Sequence, residues 1–234
     1  MSGAQQALDR AWVDPALLPD DANTDISSIT GSAPDYVKQL VCNTFYSYGV
    51  GTDPSTFGYA VGRATRFVDV SVERSMEKLG RLEGTTVAEL TVTKGMLNGA
   101  GMLHGGCVTY LIDNCASTPL VALGLCTGSN GVGVTQCMNV LFHAPAPLGS
   151  TLRIVSTSVS MGSRVMTGSA AQLPVGQGSV YQPPSTDFCR GALAIPRSAA
   201  SPCWVGRAAF LFLFRRLSTG PVGSSHTNAR ADPR

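Results

Sequence analysis

One long apolar segment at helical period, set among segments that alternate polar and apolar residues, most constrains this chain. Val108, Leu111, Ile112 and Cys115 fall at i, i+3, i+4 and i+7, the spacing of one helix face. The run starts behind Gly105 and Gly106, continues through "LVALG" and ends at "CTGSNG". Pro119 lies inside it and is expected to kink or interrupt the helix, because it has no N–H and its ring crowds the preceding turn. Before the helix, Val68, Val70 and Val72 alternate with Asp69, Ser71 and Glu73. Ala88, Leu90 and Val92 then alternate with Glu89, Thr91 and Thr93, and "MEKLGRLEG" connects the two runs. That pattern predicts a hairpin. After the helix, residues 131–142, 151–161 and 164–171 read as strands, with Gly162 and Ser163 as a tight turn between the last two. The order strand, strand, helix, strand, strand, strand predicts an α+β layer, an antiparallel sheet against one helix.

The flanks have a different character. Residues 1–33 are polar and read as a flexible leader. Over residues 34–62, Val37, Leu40, Val41, Thr44 and Phe45 predict an amphipathic helix, started by Pro34 and Asp35 and stopped by Gly49, then a loop. Residues 63–174 form the main domain. Residues 175–234 are rich in turn formers without period and are expected to be irregular, as a translated intron or frame-shifted end would be. "AAFLFLF" at 208–214 is the exception, an isolated apolar run that reads as a stray strand. Charge divides at the same place. Residues 1–174 carry 10 Lys+Arg against 13 Asp+Glu, and residues 175–234 carry 7 Arg against 2 Asp.

A formal net charge of +2 argues neither for nucleic acid nor for an acidic partner, and no nucleic-acid partner is expected. The seven cysteines are odd in number and include no CxxC, so free thiols in a reducing compartment are expected, with neither a disulfide framework nor a metal site. The acidic opening has no apolar stretch of a signal peptide and no Arg-rich transit pattern. "AAFLFLF" is too short to span a bilayer. The expectation is an intracellular protein, cytoplasmic by default, with mitochondria as an alternative.

The chemistry concentrates in "NGAGMLHGGCVTYLIDN" at 98–114. The first turn of a helix has unpaired N–H groups and a partial positive charge of about half an electron. Glycines there let another group approach the backbone. Such an N–H can hold a carbonyl oxygen as it gains charge, an effect of about 3 kcal/mol. Asp113 lies two turns further on, roughly 10 Å along the axis. A carboxylate in an apolar helix is costly unless something uses it. In a site built from two chains, Asp113 of one copy would act as base or nucleophile, facing Asn98 and the Gly106 N–H of the other. Those parts suit hydrolysis of an activated acyl group. Plainer roles also fit: Asn98 as a turn cap, His104 as a hydrogen-bonded turn residue, and Asn114 bonding to the backbone.

Asn98, Gly101, Leu103, His104, Gly105 and Gly106, followed by Asp113 and Asn114, resemble the hotdog-fold acyl-CoA thioesterases, in the phenylacetyl-CoA thioesterase-like and acyl-coenzyme A thioesterase 13-like branch. The segment "GVGVTQCMNVLFHAPAPLG" extends the likeness, which covers about residues 66–173. The resemblance implies a hotdog fold, a curved antiparallel sheet wrapped around one long central helix, with the active site shared across a homodimer that often pairs into a dimer of dimers. It implies Asp113 as general base or nucleophile, Asn98 positioning water, and Gly106 N–H polarising the thioester carbonyl. His104 and Gly105 would shape that turn, Asn114 would contact the substrate, and Thr135 would stand where the family has a serine assisting the carboxylate. No metal or cofactor is implied; coenzyme A enters as part of the acyl-CoA substrate. Two other readings are a hotdog dehydratase or hydratase, and a non-catalytic acyl-CoA binder or inactive protein with a disrupted C-terminus. The family ends on two long strands; here the first stops near Leu173 and no clear second follows.

Overall fold

The computed structural model describes residues 13–21, 24–75, 79–142, 144–162, 165–174 and 212–215. Helix α1 (Asp35–Asn43) continues as a wider π-helical turn, Thr44–Val50, and is followed by α2 (Tyr59–Ala64). Strands β1 (Arg66–Arg74) and β2 (Leu82–Thr91) precede the central helix α3 (Gly105–Thr127). Strands β3 (Val134–Met138), β4 (Thr151–Met161), β5 (Val165–Pro174) and β6 (Phe212–Arg215) complete the sheet. Its order is β1-β2-β4-β5-β6-β3, with antiparallel pairing throughout.

The core lies between the sheet and α3. Leu111, Ile112, Cys115, Ala116 and Leu120 of the helix are buried against Ala88, Leu90, Leu152, Ile154, Met166 and Ala170. On β2 and β4 the inward side chains keep the period of two. On β1 the register shifts between Phe67 and Asp69, so Phe67 and Val70 are the buried pair. A bulge of this kind inserts one residue and re-aims its neighbours.

Contrary to expectation, Pro119 leaves α3 continuous. It removes the N–H that would bond to the Cys115 carbonyl. The Thr118 hydroxyl donates to that carbonyl instead, at 2.7 Å, and shares a 2.6 Å hydrogen bond with buried Thr86 on β2. The sheet makes room for this stretch with glycine. A Cβ at Gly84 would lie 2.3 Å from the Pro119 carbonyl oxygen, and one at Gly168 would lie 2.6 Å from that of Ala116. Helix α3 is long and apolar enough to cross a bilayer by composition, but 67% of that window is buried inside the fold, as in a core helix.

One other expectation is corrected. The leader is ordered from residue 13 wherever it is described. Val13 O accepts from Asn130 Nδ2 at 3.0 Å, Asp21 pairs with Arg63, and Thr30 bridges to Asp69. Buried Asn43 ties the leader to α1, accepting from Asp21 N at 3.1 Å and donating to Asp20 at 2.9 Å. These polar partners hold a segment whose composition alone read as free. Within the tail, the apolar run at 208–214 that read as a stray strand contributes β6, which pairs with both β5 and β3. The rest of 175–234, with Cys189, Cys203 and His226, lies outside the described residues, as do Ser163, Arg164 and His143.

Candidate active site

Asp113 sits midway along α3, beside buried Leu111 and Ile112 but on the adjoining face. That face, through Asn114, Ser117 and Val121 at helical spacing, looks toward the π-helical turn and the entry to β3. Together they bound a cleft of about 120 Å³. Thr44, Phe45, Tyr48 and Gly49 form one wall, and Val132, Gly133 and Thr135 the other. Asp113, Asn114 and Thr135 were expected in the site from their sequence context; the π-helical wall was not. Ser117 and Val121 follow Asp113 at i+4 and i+8, a signal that was available.

The Thr135 hydroxyl donates to Asp113 Oδ1 at 2.7 Å. The strand register shifts between Thr135 and Cys137, an irregularity of the sort that aims a side chain next to a site. The methyl group that distinguishes threonine from serine does not prevent the contact. Among the described residues, no Lys, Arg or His pairs with Asp113, and it is the one charged residue lining the cleft. Three other polar groups are engaged locally. Thr44 Oγ1 donates to Leu40 O at 2.7 Å, Ser117 Oγ to Asn114 O at 2.8 Å, and Asn114 Nδ2 to Tyr110 O at 3.0 Å.

The glycine-led turn forms a second cluster. His104 caps α3: its Nδ1 accepts from the Gly106 N–H at 2.8 Å. Asn98 Oδ1 accepts from Ala100 N at 2.9 Å and from Met102 N at 3.2 Å, closing its own turn. Gly105 faces the ring of Phe142, which is 61% exposed. Asn98, His104, Gly105 and Gly106 do not line the Asp113 cleft. Within one chain the structure therefore brings Asp113 to Thr135 and keeps the turn apart from both.

Five cysteines are described, all free: Cys42 and Cys115 buried, Cys107 and Cys126 intermediate, Cys137 exposed. Burial pushes the Cys115 thiol up to about 12. Burial, then the nearby Asp21 charge, does the same for Cys42. None of the described residues forms a His, Cys, Asp or Glu cluster that would hold a metal ion. Arg153 pairs with Glu89 across β4 and β2 at 3.4 Å.

An antiparallel sheet in this order, curled on one long helix, is the hotdog fold, and the chain is a hotdog-fold α+β protein. Residues 100–171, about a third of the chain, match the Thioesterase superfamily. Human acyl-coenzyme A thioesterase 13 is 33% identical over 79 residues, 34% of this chain and 54% of that protein. A Schizosaccharomyces pombe protein that carries an esterase name is 29% identical over 135 residues, 57% of this chain and 81% of the relative. The chain thus spans about half the length of the acyl-coenzyme A thioesterase 13 relatives it matches. Zebra fish thioesterase superfamily member 2, a solved structure, is 16% identical, with a TM-score of 0.49 over 75% of this chain and 95% of that one.

Proposed function

We propose that this protein hydrolyses acyl-CoA thioesters to a free acid and coenzyme A, at a site shared between two copies of the chain. The observation that carries this reading is the Asp113–Thr135 pair: a carboxylate without a cationic partner among the described residues, held by a hydroxyl in a cleft of mixed polar and apolar lining. Thr135 occupies Oδ1, so Oδ2 is the basic oxygen. It takes a proton from water as the water oxygen bonds to the thioester carbon. The carbonyl oxygen becomes an oxyanion, which the Gly106 N–H of the other copy stabilises. Collapse expels the coenzyme A thiolate, and the proton on Asp113 passes to the sulfur. No cofactor takes part. Asn98 of the second copy orients the water, and the His104 turn and Asn114 contact the substrate.

Two features support sharing between copies. Gly106 and Asp113 of one helix stand roughly 10 Å apart along the axis, too far to act on one carbonyl. Apolar side chains also lie open around β3 and the loop beyond it: Val134 is 44%, Phe142 61% and Leu148 58% exposed. Among the described residues β3 pairs only with β6, leaving its other edge open. An open strand edge beside exposed apolar surface suits pairing with a second chain. For the bond to an oxyanion to form, His104 must release the Gly106 N–H. That occupied donor also favours a second reading, a non-catalytic acyl-CoA binder.

Thiol release from a panel of acyl-CoAs separates the alternatives. Hydrolysis gives one free thiol per acid formed. Thermal stabilisation by acyl-CoA without thiol release supports the binder, and an enoyl product without thiol release supports a dehydratase or hydratase.

A further inference from the structure

Both walls of the Asp113 cleft are tied to one short stretch of the leader. On one side, Asn43 immediately precedes Thr44, the first residue of the π-helical wall. Asn43 is fully buried. Its Oδ1 accepts from Asp21 N at 3.1 Å and from Gln39 Nε2 at 2.9 Å, and its Nδ2 donates to Asp20 Oδ1 at 2.9 Å. Arg63, which pairs with Asp21, also lies over the ring of Tyr46 in the π-helical turn, 5.0 Å from its centroid. On the other side, Asn130 leads into Val132 and Gly133. Its Nδ2 donates to Val13 O at 3.0 Å and its Oδ1 accepts from Val132 N at 2.8 Å. Both partners are backbone groups, one acceptor and one donor, so the two ends of the amide are distinguished. Between these anchors Pro15 is buried and Val13 packs against the core. Residues 13–21 therefore run from the entry of β3 to the start of the π-helical turn. A reacting pair keeps its geometry only when the elements that carry it are themselves locked by packing and hydrogen bonds.

We propose that residues 13–21 brace the cleft, and that Asn43 and Asn130 are positioning residues that hold its two walls so that Thr135 meets Asp113. The proposal rests on the hydrolytic reading above. Neither asparagine lines the cleft, so each acts through its neighbours. Asn130 fixes Val132, which leads through Gly133 and Val134 to Thr135. That entry is pressed onto α3: a Cβ at Gly131 would lie 2.0 Å from the Leu120 carbonyl oxygen. Asn43 fixes the opposite wall, which is also seated on α3, beside Asp113. A Cβ at Gly49 would lie 2.6 Å from Asn114 Oδ1. With both walls bonded to one segment, neither shifts along the helix without breaking a hydrogen bond to the leader.

The test is steady-state kinetics on the best acyl-CoA of the panel, with folding checked by circular dichroism. Full-length Asn130→Asp and Asp20→Ala are each measured alone and combined with Thr135→Val. Asn130→Asp keeps the acceptor for Val132 N and removes the donor to Val13 O. Asp20→Ala changes an exposed residue and keeps the test informative if Asn130→Asp fails to fold. Each should lower kcat about tenfold, the rate equivalent of one hydrogen bond, with KM little changed. Asp20→Asn, which keeps an acceptor oxygen for Asn43, should restore it. In the Thr135→Val background the bond being positioned is already gone, so neither substitution should lower kcat further by more than about twofold. A purely structural brace would not show this dependence on Thr135. Wild-type kcat in either folded variant overturns the proposal while leaving hydrolysis standing, as does an equal loss with and without the Thr135 hydroxyl. A wild type that hydrolyses no acyl-CoA overturns both.

Discussion

The Thr135 hydroxyl reaches Asp113 Oδ1 at 2.7 Å, joining the edge strand β3 to the middle of the central helix. The bond orders one carboxylate oxygen and leaves the other free. Thr135→Val keeps the side chain's shape and removes the donor. A hydrogen bond to a charged group is worth about 1.5–3 kcal/mol, so kcat should fall roughly 10–100-fold with KM little changed. Thr135→Ser should restore most of it. Steady-state kinetics on the best acyl-CoA checks both, and a Thr135→Val enzyme with wild-type kcat contradicts the assignment.

Sharing between copies has its own signature. Gly106→Pro removes the N–H from the first turn of the helix, and circular dichroism confirms that the helix still forms. Asp113→Ala removes the base. Each homodimer should be inactive. In a two-fold dimer every mixed pair regains one intact site, so an equal mixture should recover roughly a quarter of wild-type activity. A mixture that exchanges subunits and stays inactive rejects the shared arrangement.

The helix passes through Pro119 because Thr118 and Thr86 answer for the missing bond. Thr118→Val leaves the Cys115 carbonyl and the Thr86 hydroxyl buried without that partner. The expected loss is about 1–3 kcal/mol of stability, read as a shift in the urea midpoint.

This detail marks what the amino-acid order discloses. Alternation around Val70, Leu90 and Ile154 locates strands, because burying one sheet face imposes a period of two. The Gly105–Gly106 lip and Asp113 stand out because helix starts and apolar helices penalise other choices. What the order hides depends on distant partners. Pro119 reads as a break until Thr86 is beside it. The leader reads as loose until Asp21 meets Arg63 and Asn130 meets Val13. The π-helical wall reaches the Asp113 cleft from more than sixty residues upstream. Strand β6 falls in the apolar run that stands out in the tail, but four residues do not disclose that β5 and β3 are its partners.

Stability should fall in alkali. The Cys42 and Cys115 thiols are pushed up to about 12 from an ordinary value of 9.0, by burial first in both. Below about 9 they are protonated whether the chain is folded or not. Above it the unfolded chain loses protons that the folded chain retains, so stability declines as pH rises toward 12. Each thiol contributes about 1.4 kcal/mol per pH unit to that slope. Urea melts across this range should show the decline, and Cys42→Ala should make it shallower by one proton.

The central claim is that Asp113 activates water at a thioester carbon, and its direct test is the kcat of Asp113→Ala on the preferred acyl-CoA, with circular dichroism to confirm the fold. General-base catalysis contributes about 10²–10⁴-fold, so the variant should lose at least two orders of magnitude in thiol release. Activity retained within a few fold of wild type would contradict it.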